Sequence, residues 1–456
     1  MQLSNRALLN RTINIGVTLS FICVIFYSYL PFLYIINALP IEKNFLFGTI
    51  VSMSLCFAVF YFILSGMHIN KNLMIAIGLY ILFSMYSLIS FLLTPNYLND
   101  IFTIRTLTVI NPIFIVLAFL CWNGKQYLLR LLYLASFIYF LFAVYSFLSG
   151  KFTIKSSMFQ DIFGLTRDSP YQNINIYLGI FVVITVVKAK YEKIFLRKCF
   201  LYILLLNAVA FMFAIGGRAS LFAAMVAVMI FYISEYRHSS LETKLKAFLF
   251  LFMIAFVIVA FHSIIINFLM DTVTGWRILV LFEGGDTSQR LFLFSKATEL
   301  FLLNVKNVIF GGGINSFSIY IGGNSIGIYP HNIILELLSE YGIFGTFLFL
   351  SSIVYILRIR KSKLGKIYGK SFTERLIFLL VVYFWTIHMF TGGLRNSWIL
   401  IFFTYLLIPV TLKIQNKHFI SYKLSPSTPS IRNGNFKVRL PCGVARPRYK
   451  ACRKKD

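Results

Sequence analysis

The sequence predicts an all-α integral membrane protein with about twelve membrane-spanning helices, since a helix needs roughly 20 apolar residues to cross the bilayer. Composition is the first observation behind this prediction: 59% of the 456 residues are apolar, 18% are aromatic and only 13% are charged. Soluble domains have about 45–50% apolar and about 25% charged residues. These values exclude a soluble globular protein, and they exclude disorder for most of the chain.

Recurring apolar runs are the second observation. The predicted spans are residues 13–37, 44–65, 73–93, 107–122, 128–149, 174–188, 199–215, 219–234, 246–270, 333–357, 376–391 and 396–412. The fourth and sixth runs are short for a span. Because the runs follow one another as far as residue 412, we expect residues 1–412 to form one polytopic transmembrane domain.

The distribution of basic residues is the third observation. The net charge of +28 comes from 43 Lys and Arg against 15 Asp and Glu. With the N-terminus in the cytoplasm, most of these Lys and Arg fall in connections that follow even-numbered spans or in residues 413–456, as the positive-inside rule requires. Both termini are therefore predicted to be cytoplasmic. Residues 413–456, rich in Ser, Pro, Lys and Arg, are predicted to be a disordered tail suited to anionic lipid head groups, and we expect no nucleic-acid partner.

Cysteine and glycine patterns give no sign of a resident cofactor. None of the six cysteines falls in a predicted outer loop, so we expect no structural disulfide, and no Cys/His spacing matches a zinc site. The sequence also has no phosphate-binding P-loop, and no outer loop has an Asp-x-Asp pair. We therefore expect neither a metal nor a cofactor.

Two long segments are predicted on the outer side, residues 150–173 and residues 271–332. The second is the main outer loop, between spans nine and ten. Within it, residues 288–303 are long and apolar enough for an amphipathic helix at the membrane surface. Glycine clusters at 284–285, 311–313 and 322–323 flank this helix and allow tight turns.

Arginines at the outer ends of spans are candidate ligands for a phosphate. Arg218, in the sequence Gly-Gly-Arg-Ala-Ser at 216–220, lies in a turn so short that its guanidinium is held near the membrane boundary. A guanidinium there can bind a phosphate with two hydrogen bonds. A snorkelling arginine that marks the interface is the alternative, and position alone favours it. Arg290 begins the amphipathic helix, where an ordinary solvated arginine is the alternative.

The start of span ten, PHNIILELLSEYGIFG at 330–345, holds the other candidates. Asn332, Glu336 and Glu340 are spaced by four residues and share one helical face. His331 precedes that face and can accept a proton from a hydroxyl. Carboxylates at this depth are costly unless they face a cavity or a partner. The alternative is a capping histidine with structural salt bridges. Arg395, in the turn 392–396, and His388 are smaller candidates.

These segments together resemble the O-antigen ligase and polymerase family. The resemblance rests on Ser288-Gln289-Arg290, on Phe310-Gly311-Gly312-Gly313 with Ser316-Phe317, and on His331-Asn332 with Leu335-Glu336 and EYGIFG at 340–345. The Gly-Arg-Ala-Ser turn at 217–220 is similar to the family's small-residue-plus-arginine motif. The first 210 residues match no motif of that family.

The resemblance implies an inner-membrane glycosyltransferase that acts on the periplasmic side on a glycan linked to undecaprenyl diphosphate, without metal or nucleotide. A GT-C-like architecture is compatible with this. By the resemblance, Arg218 and Arg290 bind the donor diphosphate and stabilise its developing charge. His331 orients or deprotonates the attacking hydroxyl, and Glu336 orients the histidine or the glycan. Arg395 and Asn332 complete the predicted substrate-binding set.

Two functions of this family stay open at the level of sequence. A polymerase joins repeat units while they are lipid-linked, with a chain-length-regulating membrane protein as a partner. A ligase transfers the finished glycan from the same donor to lipid A–core. The richness in Phe, Ile and Tyr favours the polymerase. A flippase for lipid-linked oligosaccharides is the alternative of another class, but it predicts charged residues in mid-span, whereas the charges here gather at the outer ends.

Overall fold

The structure is a computed structural model, and it describes residues 16, 18, 71–93, 101–121, 124–148, 171–215, 217–236, 287–322, 328–364 and 371–408. Every regular element within these ranges is helical. The helices are α1 Lys71–Leu93, α2 Ile101–Arg105, α3 Asn111–Leu120, α4 Lys125–Leu148, α5 Tyr171–Tyr191, α6 Phe195–Ile215, α7 Arg218–Tyr236, α8 Thr287–Leu302, α9 Val305–Phe310, α10 Ser316–Tyr320, α11 Ile333–Leu364, α12 Phe372–Phe390 and α13 Trp398–Leu406, with a π-helical turn at Thr106–Ile110 and a 3-10 turn at Leu394–Asn396.

Seven of these helices are long and apolar enough to cross a membrane, by length and composition. They are α1, α4, α5, α6, α7, α11 and α12, and each coincides with a predicted span. The predicted runs 107–122 and 396–412 coincide with shorter apolar helices, α3 and α13. The runs 13–37, 44–65 and 246–270 lie outside the described ranges apart from two helical residues, as does the tail 413–456. The all-α membrane class is confirmed, whereas the total of about twelve spans stays a prediction.

Helix α5 lies at the centre of the described helices and packs against α4, α6, α7 and α12. Its spanning part is 78% buried, compared with 17% for the spanning part of α6. Lipid is as apolar as these side chains, so close packing rather than escape from water stabilises the contacts. Gly179 on α5 fits against the ring of Tyr383 on α12, and Tyr139 on α4 stacks on Tyr177 of α5 with ring centroids 4.1 Å apart.

Helices α7 and α12 run antiparallel, and their side chains define the two ends of the bundle. At one end Phe222 contacts Phe390, with ring centroids 5.1 Å apart. At the other end Glu235 forms an ion pair with Arg375. The length of α12 separates the two ends by about 27 Å, at a rise of 1.5 Å per residue. We call the Phe222–Phe390 end the site end and the other the opposite end.

The predicted helix at 288–303 is confirmed as α8, which packs on the start of α11. Ala297, Leu300 and Phe317 form a small apolar cluster of their own, and Leu335 of α11 packs against it. The side chain of Asn304 caps α9 by accepting from the backbone N of Asn307 at 2.8 Å. Helices α8 to α10 thus form a layer tied to the beginning of α11.

The predicted span 333–357 is not one continuous helix, because α11 breaks at Gly342. This residue has φ 64° and ψ −169°, a conformation that side chains other than hydrogen strongly disfavour. A Cβ on Gly342 would lie 2.5 Å from the backbone N of Gly311 and from the carbonyl oxygen of Ile309. The glycine turn 311–313 therefore lies directly against the break.

Backbone hydrogen bonds join the glycine turn to the broken helix. The N–H groups of Gly312 and Gly313 donate to the carbonyls of Ser339 and Glu340, both at 2.9 Å. The hydroxyl of Tyr86 donates to the carbonyls of Phe310, at 2.6 Å, and of Tyr341, at 3.2 Å. Non-helical backbone at such a depth is tolerated when neighbouring groups satisfy it. We call this arrangement the glycine junction, comprising residues 310–313 and 339–342.

Candidate functional site

His331 sits immediately before α11 in a left-handed backbone conformation, with φ 56°. Its ring lies on that of Tyr329, with centroids 4.3 Å apart, and it is half-buried. Burial lowers the pKa of His331 below its ordinary value of 6.5, the positive charge of Arg290 lowers it further, and a hydrogen bond to the backbone of Thr391 acts in the opposite direction. A pKa below 6.5 leaves the imidazole neutral at neutral pH, so one ring nitrogen can accept a proton.

Arg290 and His331 come together although 41 positions separate them in the sequence. Arg290 lies in the first turn of α8, and its charge acts on His331 strongly enough to contribute to the lowered pKa. The packing of α8 on α11 brings this about. The two charged groups therefore lie near each other, and their joint role in a site on the outer loop stays a prediction.

Asn332 caps α11 and also connects it to α12. Its Oδ1 accepts from the backbone N of Ile334 at 2.9 Å and of Leu335 at 3.1 Å. Its Nδ2 donates to the carbonyl of Met389 at 3.0 Å. These contacts account for an Asn at this position by capping alone, and its predicted role in substrate binding stays a prediction.

Glu336 is buried, with 4% of its surface exposed, and its Oε2 accepts from the backbone N of Leu394 at 2.9 Å. Gly393 leaves room for this carboxylate, since a Cβ there would lie 2.8 Å from Oε2. Leu394 opens the 3-10 turn that carries Arg395. The carboxylate thus positions the Arg395 turn, a contact that its place in the sequence did not indicate.

Several hydrogen bonds join residues 329–336 to residues 389–394, and we call three of them the clamp. Two are those of Asn332 and Glu336, and in the third the hydroxyl of Tyr329 donates to the carbonyl of Thr391 at 3.0 Å. Sequence reasoning missed Tyr329 and Thr391. The only signal in the sequence was that Tyr329 lies two positions before His331, which does not reveal a partner on another helix.

Arg218 begins α7 at the site end of the bundle. Gly217 before it packs against the side chain of Asn175 on α5, so any larger residue would collide with that side chain. The small residue in this motif therefore lets α5 and α7 approach closely. Arg218 itself is partly exposed and lies one turn before Phe222, whose ring contacts Phe390. The structure places it at the same end of the bundle as His331.

Arg395 and His388 have different placements. Arg395 is partly exposed in its 3-10 turn, next to the backbone group held by Glu336. His388 is buried, and its ring nitrogens lie 2.8 Å from the carbonyl of Phe384 and 3.1 Å from that of Asn396. Its ring therefore joins the end of α12 to the turn, a structural contact that explains this histidine without chemistry.

Glu340 belongs to the glycine junction rather than to an open surface. It is 5% exposed, and its carbonyl accepts from Gly313. Within the described ranges, no three side chains of His, Cys, Asp or Glu converge as metal ligands do. The site end thus combines three arginines, Arg218, Arg290 and Arg395, with one half-buried histidine.

Comparison with known proteins gives one match. Residues 201–350 match the sequence profile of a family described as O-antigen ligase. The matched stretch includes Arg218, Arg290, His331 and Glu336, and it ends before Arg395. No curated protein sequence gives a significant match to the chain. The chain is therefore a multi-pass membrane protein in which residues 201–350, about a third of its length, are similar to the O-antigen ligase family, a family of enzymes of the glycosyl-transfer type.

Proposed function

We propose that this protein is a polysaccharide polymerase of the bacterial inner membrane. It joins glycan repeat units that are linked to undecaprenyl diphosphate, on the periplasmic side and without a metal. The observation that carries this proposal is the pairing of Arg290 with a neutral His331 at the site end of the bundle. A base beside a fixed cation suits a reaction in which a hydroxyl loses a proton while a diphosphate departs.

The chemistry follows from where charge develops. The acceptor hydroxyl oxygen attacks the anomeric carbon, and its proton passes to the free ring nitrogen of His331. The bond between the anomeric carbon and the diphosphate oxygen breaks, and undecaprenyl diphosphate leaves with an added negative charge. Arg218 and Arg290 stabilise that charge because fixed cations need no reorganisation during the reaction. Attack from the side opposite the leaving group inverts the anomeric centre.

The clamp explains how Arg395 is positioned in the proposed site. Glu336 fixes the turn that holds Arg395, and Asn332 fixes the start of α11 beside His331. Both contacts hold catalytic and binding side chains on rigid helix ends, which fixes the distance between base and leaving group. We therefore assign Glu336 and Asn332 to positioning within the proposed reaction.

A ligase for lipid A–core is the second candidate, because the matched family carries that description. Deleting the gene and separating the lipopolysaccharide on a gel distinguishes the two. For a polymerase we expect core that carries a single repeat unit. Core without any repeat, together with long lipid-linked glycan, would show a ligase. Single lipid-linked units trapped on the cytoplasmic side would show a flippase and overturn both candidates.

The same gel tests the proposed site residues. His331→Asn keeps a residue that tolerates the left-handed backbone but removes the base, and Arg290→Ala removes the cation. We expect both variants to lose chain growth, by a factor of about 100 or more for a general base, at normal protein levels in the membrane. Lys296→Ala on the same helix removes only a surface ion pair with Glu299 and serves as the control. Normal chains in both site variants would overturn the assignment.

A further inference from the structure

A cleft with charged and aromatic walls lies at the opposite end of the bundle from His331. It has a volume of about 390 Å³ and is formed where α5 ends, α6 begins and α12 begins. Lys188 and Arg197 supply its positive charge and Glu192 one negative charge, whereas Tyr191, Phe200 and Phe372 supply aromatic walls. The proposed glycosyl transfer uses none of these residues, because α12 separates this end from the site end by about 27 Å.

Positive charge accumulates around the cleft. The Nζ of Lys188 lies 3.4 Å from the centroid of the Tyr133 ring, and the charge of Arg130 acts on Lys188 from nearby. The sequence 188–198 holds five Lys or Arg and one Glu. The carbonyl end of α5 offsets only about half a unit of charge. Positive charge gathered in this way favours an anion in the cleft.

The neighbouring carboxylates already have partners. Glu235 accepts from the hydroxyl of Tyr191 at 3.3 Å and forms an ion pair with Arg375. Glu192 accepts from the backbone N of Lys193 at 3.0 Å and of Ile194 at 3.1 Å. Among the residues that the structure describes, neither Lys188 nor Arg197 takes part in an ion pair. With Lys188 and Arg197 against Glu192, the lining of the cleft keeps a net positive charge.

The surface beside the cleft is apolar and faces away from the protein. Phe195 and Leu196, in the first turn of α6, are 79% and 78% exposed, and Phe200 on the cleft wall is 59% exposed. On a membrane-spanning helix, such side chains contact acyl chains rather than water. The cleft thus opens where acyl chains end and head groups begin. A phospholipid bound there can place its head group in the cleft and its acyl chains against these apolar side chains.

We propose that this cleft binds the phosphate head group of an anionic membrane phospholipid, with Lys188 and Arg197 as its cationic ligands and Phe195, Leu196 and Phe200 against its acyl chains. Basic pockets between membrane helices are suited to such head groups. The lipid would tie together α5, α6 and α12, which all contribute to the cleft walls. This site is separate from the donor site, so the proposal of lipid binding does not depend on the proposed glycosyl transfer.

Lipid titration of the purified full chain in neutral detergent tests the proposal, with the thermal unfolding midpoint as the readout. Short-chain phosphatidylglycerol is expected to raise the midpoint of the wild-type protein, whereas phosphatidylcholine and inorganic phosphate are not. In the double variant Lys188→Gln/Arg197→Gln, the half-saturating phosphatidylglycerol concentration should rise about 30-fold, since each basic residue near an anionic membrane contributes roughly a factor of five. Arg197→Gln alone, at an exposed position, should give part of this effect.

Lys193→Gln is the matched control, because Lys193 is exposed in the same connection but does not line the cleft. It should titrate as the wild type does. An equal response to phosphatidylcholine would show nonspecific lipid stabilisation, and an equal response to inorganic phosphate would show a free-anion site. Each of these results would overturn the proposal, as would an unchanged titration in the double variant.

Discussion

Glu336 shows at the scale of a single residue how a membrane protein keeps a buried carboxylate. Its Oε2 accepts from the backbone N of Leu394, a charge-assisted hydrogen bond that lowers the cost of burying the charge. The same bond gives the backbone N–H of a tight turn its partner. Two roles therefore account for a carboxylate at the start of a membrane helix. One is to hold the Arg395 turn in place, and the other is to take part in the reaction.

Substituting Glu336 separates positioning from catalysis. Glu336→Gln keeps an oxygen that can accept from Leu394, whereas Glu336→Ala leaves that buried N–H without a partner. We expect Glu336→Gln to keep most chain growth, and Glu336→Ala to lose it together with about 1–3 kcal/mol of stability. Chain length on a gel and the unfolding midpoint check this. Equal loss of chain growth in both variants, with normal stability, would show instead that the carboxylate itself takes part in the reaction.

The backbone conformation of His331 also depends on the contacts around it. A left-handed φ is uncommon for a residue with a side chain, and it is held here while the ring stacks on Tyr329 and hydrogen-bonds to Thr391. Backbone strain of this kind persists only where the surroundings fix it. Because the φ of His331 depends on those contacts, the local sequence Pro330-His331-Asn332 does not predict it.

The glycine junction is the feature that matters most at the scale of elements. It joins two motifs that the sequence presented separately, the glycines at 311–313 and the stretch 340–345. The break at Gly342 ends the first part of α11 just inside the bundle, and the glycine turn supplies the hydrogen bonds that the broken helix lacks. These glycines thus serve structure here, by holding the loop layer on α11.

Replacing Gly342 tests this role. Gly342→Ala adds a Cβ at φ 64° that would collide with the backbone of Gly311 and Ile309, neither of which can move as a flexible side chain does. We expect a loss of at least about 3 kcal/mol of stability and a sharp fall in membrane-inserted protein. Expression and the unfolding midpoint check the prediction.

Gly78→Ala provides the control for that substitution. Gly78 lies on α1, and a Cβ there would meet nothing within 4 Å. Because Ala is favoured over Gly in a helix, the variant should be as stable as the wild type or up to about 1 kcal/mol more stable. Equal destabilisation by the two variants would mean that the junction has no special role.

At the scale of the whole molecule, the antiparallel pair α7 and α12 separates two kinds of chemistry. The site end carries His331 and three arginines, and the opposite end carries the lysine-rich connection between α5 and α6. The positive-inside rule predicts that the opposite end is cytoplasmic. The same separation underlies both proposals, since a periplasmic donor site and a head-group cleft in the inner leaflet require opposite faces.

Labelling of introduced cysteines tests this orientation. In a cysteine-free background, Lys296→Cys lies at a partly exposed position of α8, and Lys193→Cys lies at an exposed position in the connection between α5 and α6. With a membrane-impermeant maleimide, we expect Lys296→Cys to react in cells whose outer membrane alone is permeable. Lys193→Cys should react only after the inner membrane is opened. The reverse pattern would place the site end in the cytoplasm and contradict the periplasmic assignment.

Much of the fold was predictable because membrane spans depend on local composition. Each of the seven long apolar helices coincides with a predicted run, and the outer helix α8 begins one residue before the predicted position. The π-helical turn at Thr106–Ile110 and the break at Gly342 were missed. Both interrupt apolar runs without changing their composition, so no pattern of hydrophobicity reveals them.

The sequence by itself determined the class of the protein, its principal helices and the small set of polar residues worth testing, because the exclusion of charge from lipid acts on every residue separately. Only the tertiary structure decided how those residues are used. It brought Arg290 to His331, gave Asn332 a partner in the last turn of α12 and Glu336 a partner in the turn that follows, and assigned the glycines to a packing junction. These are contacts between distant segments, and their geometry depends on how helices pack rather than on the composition of any one of them.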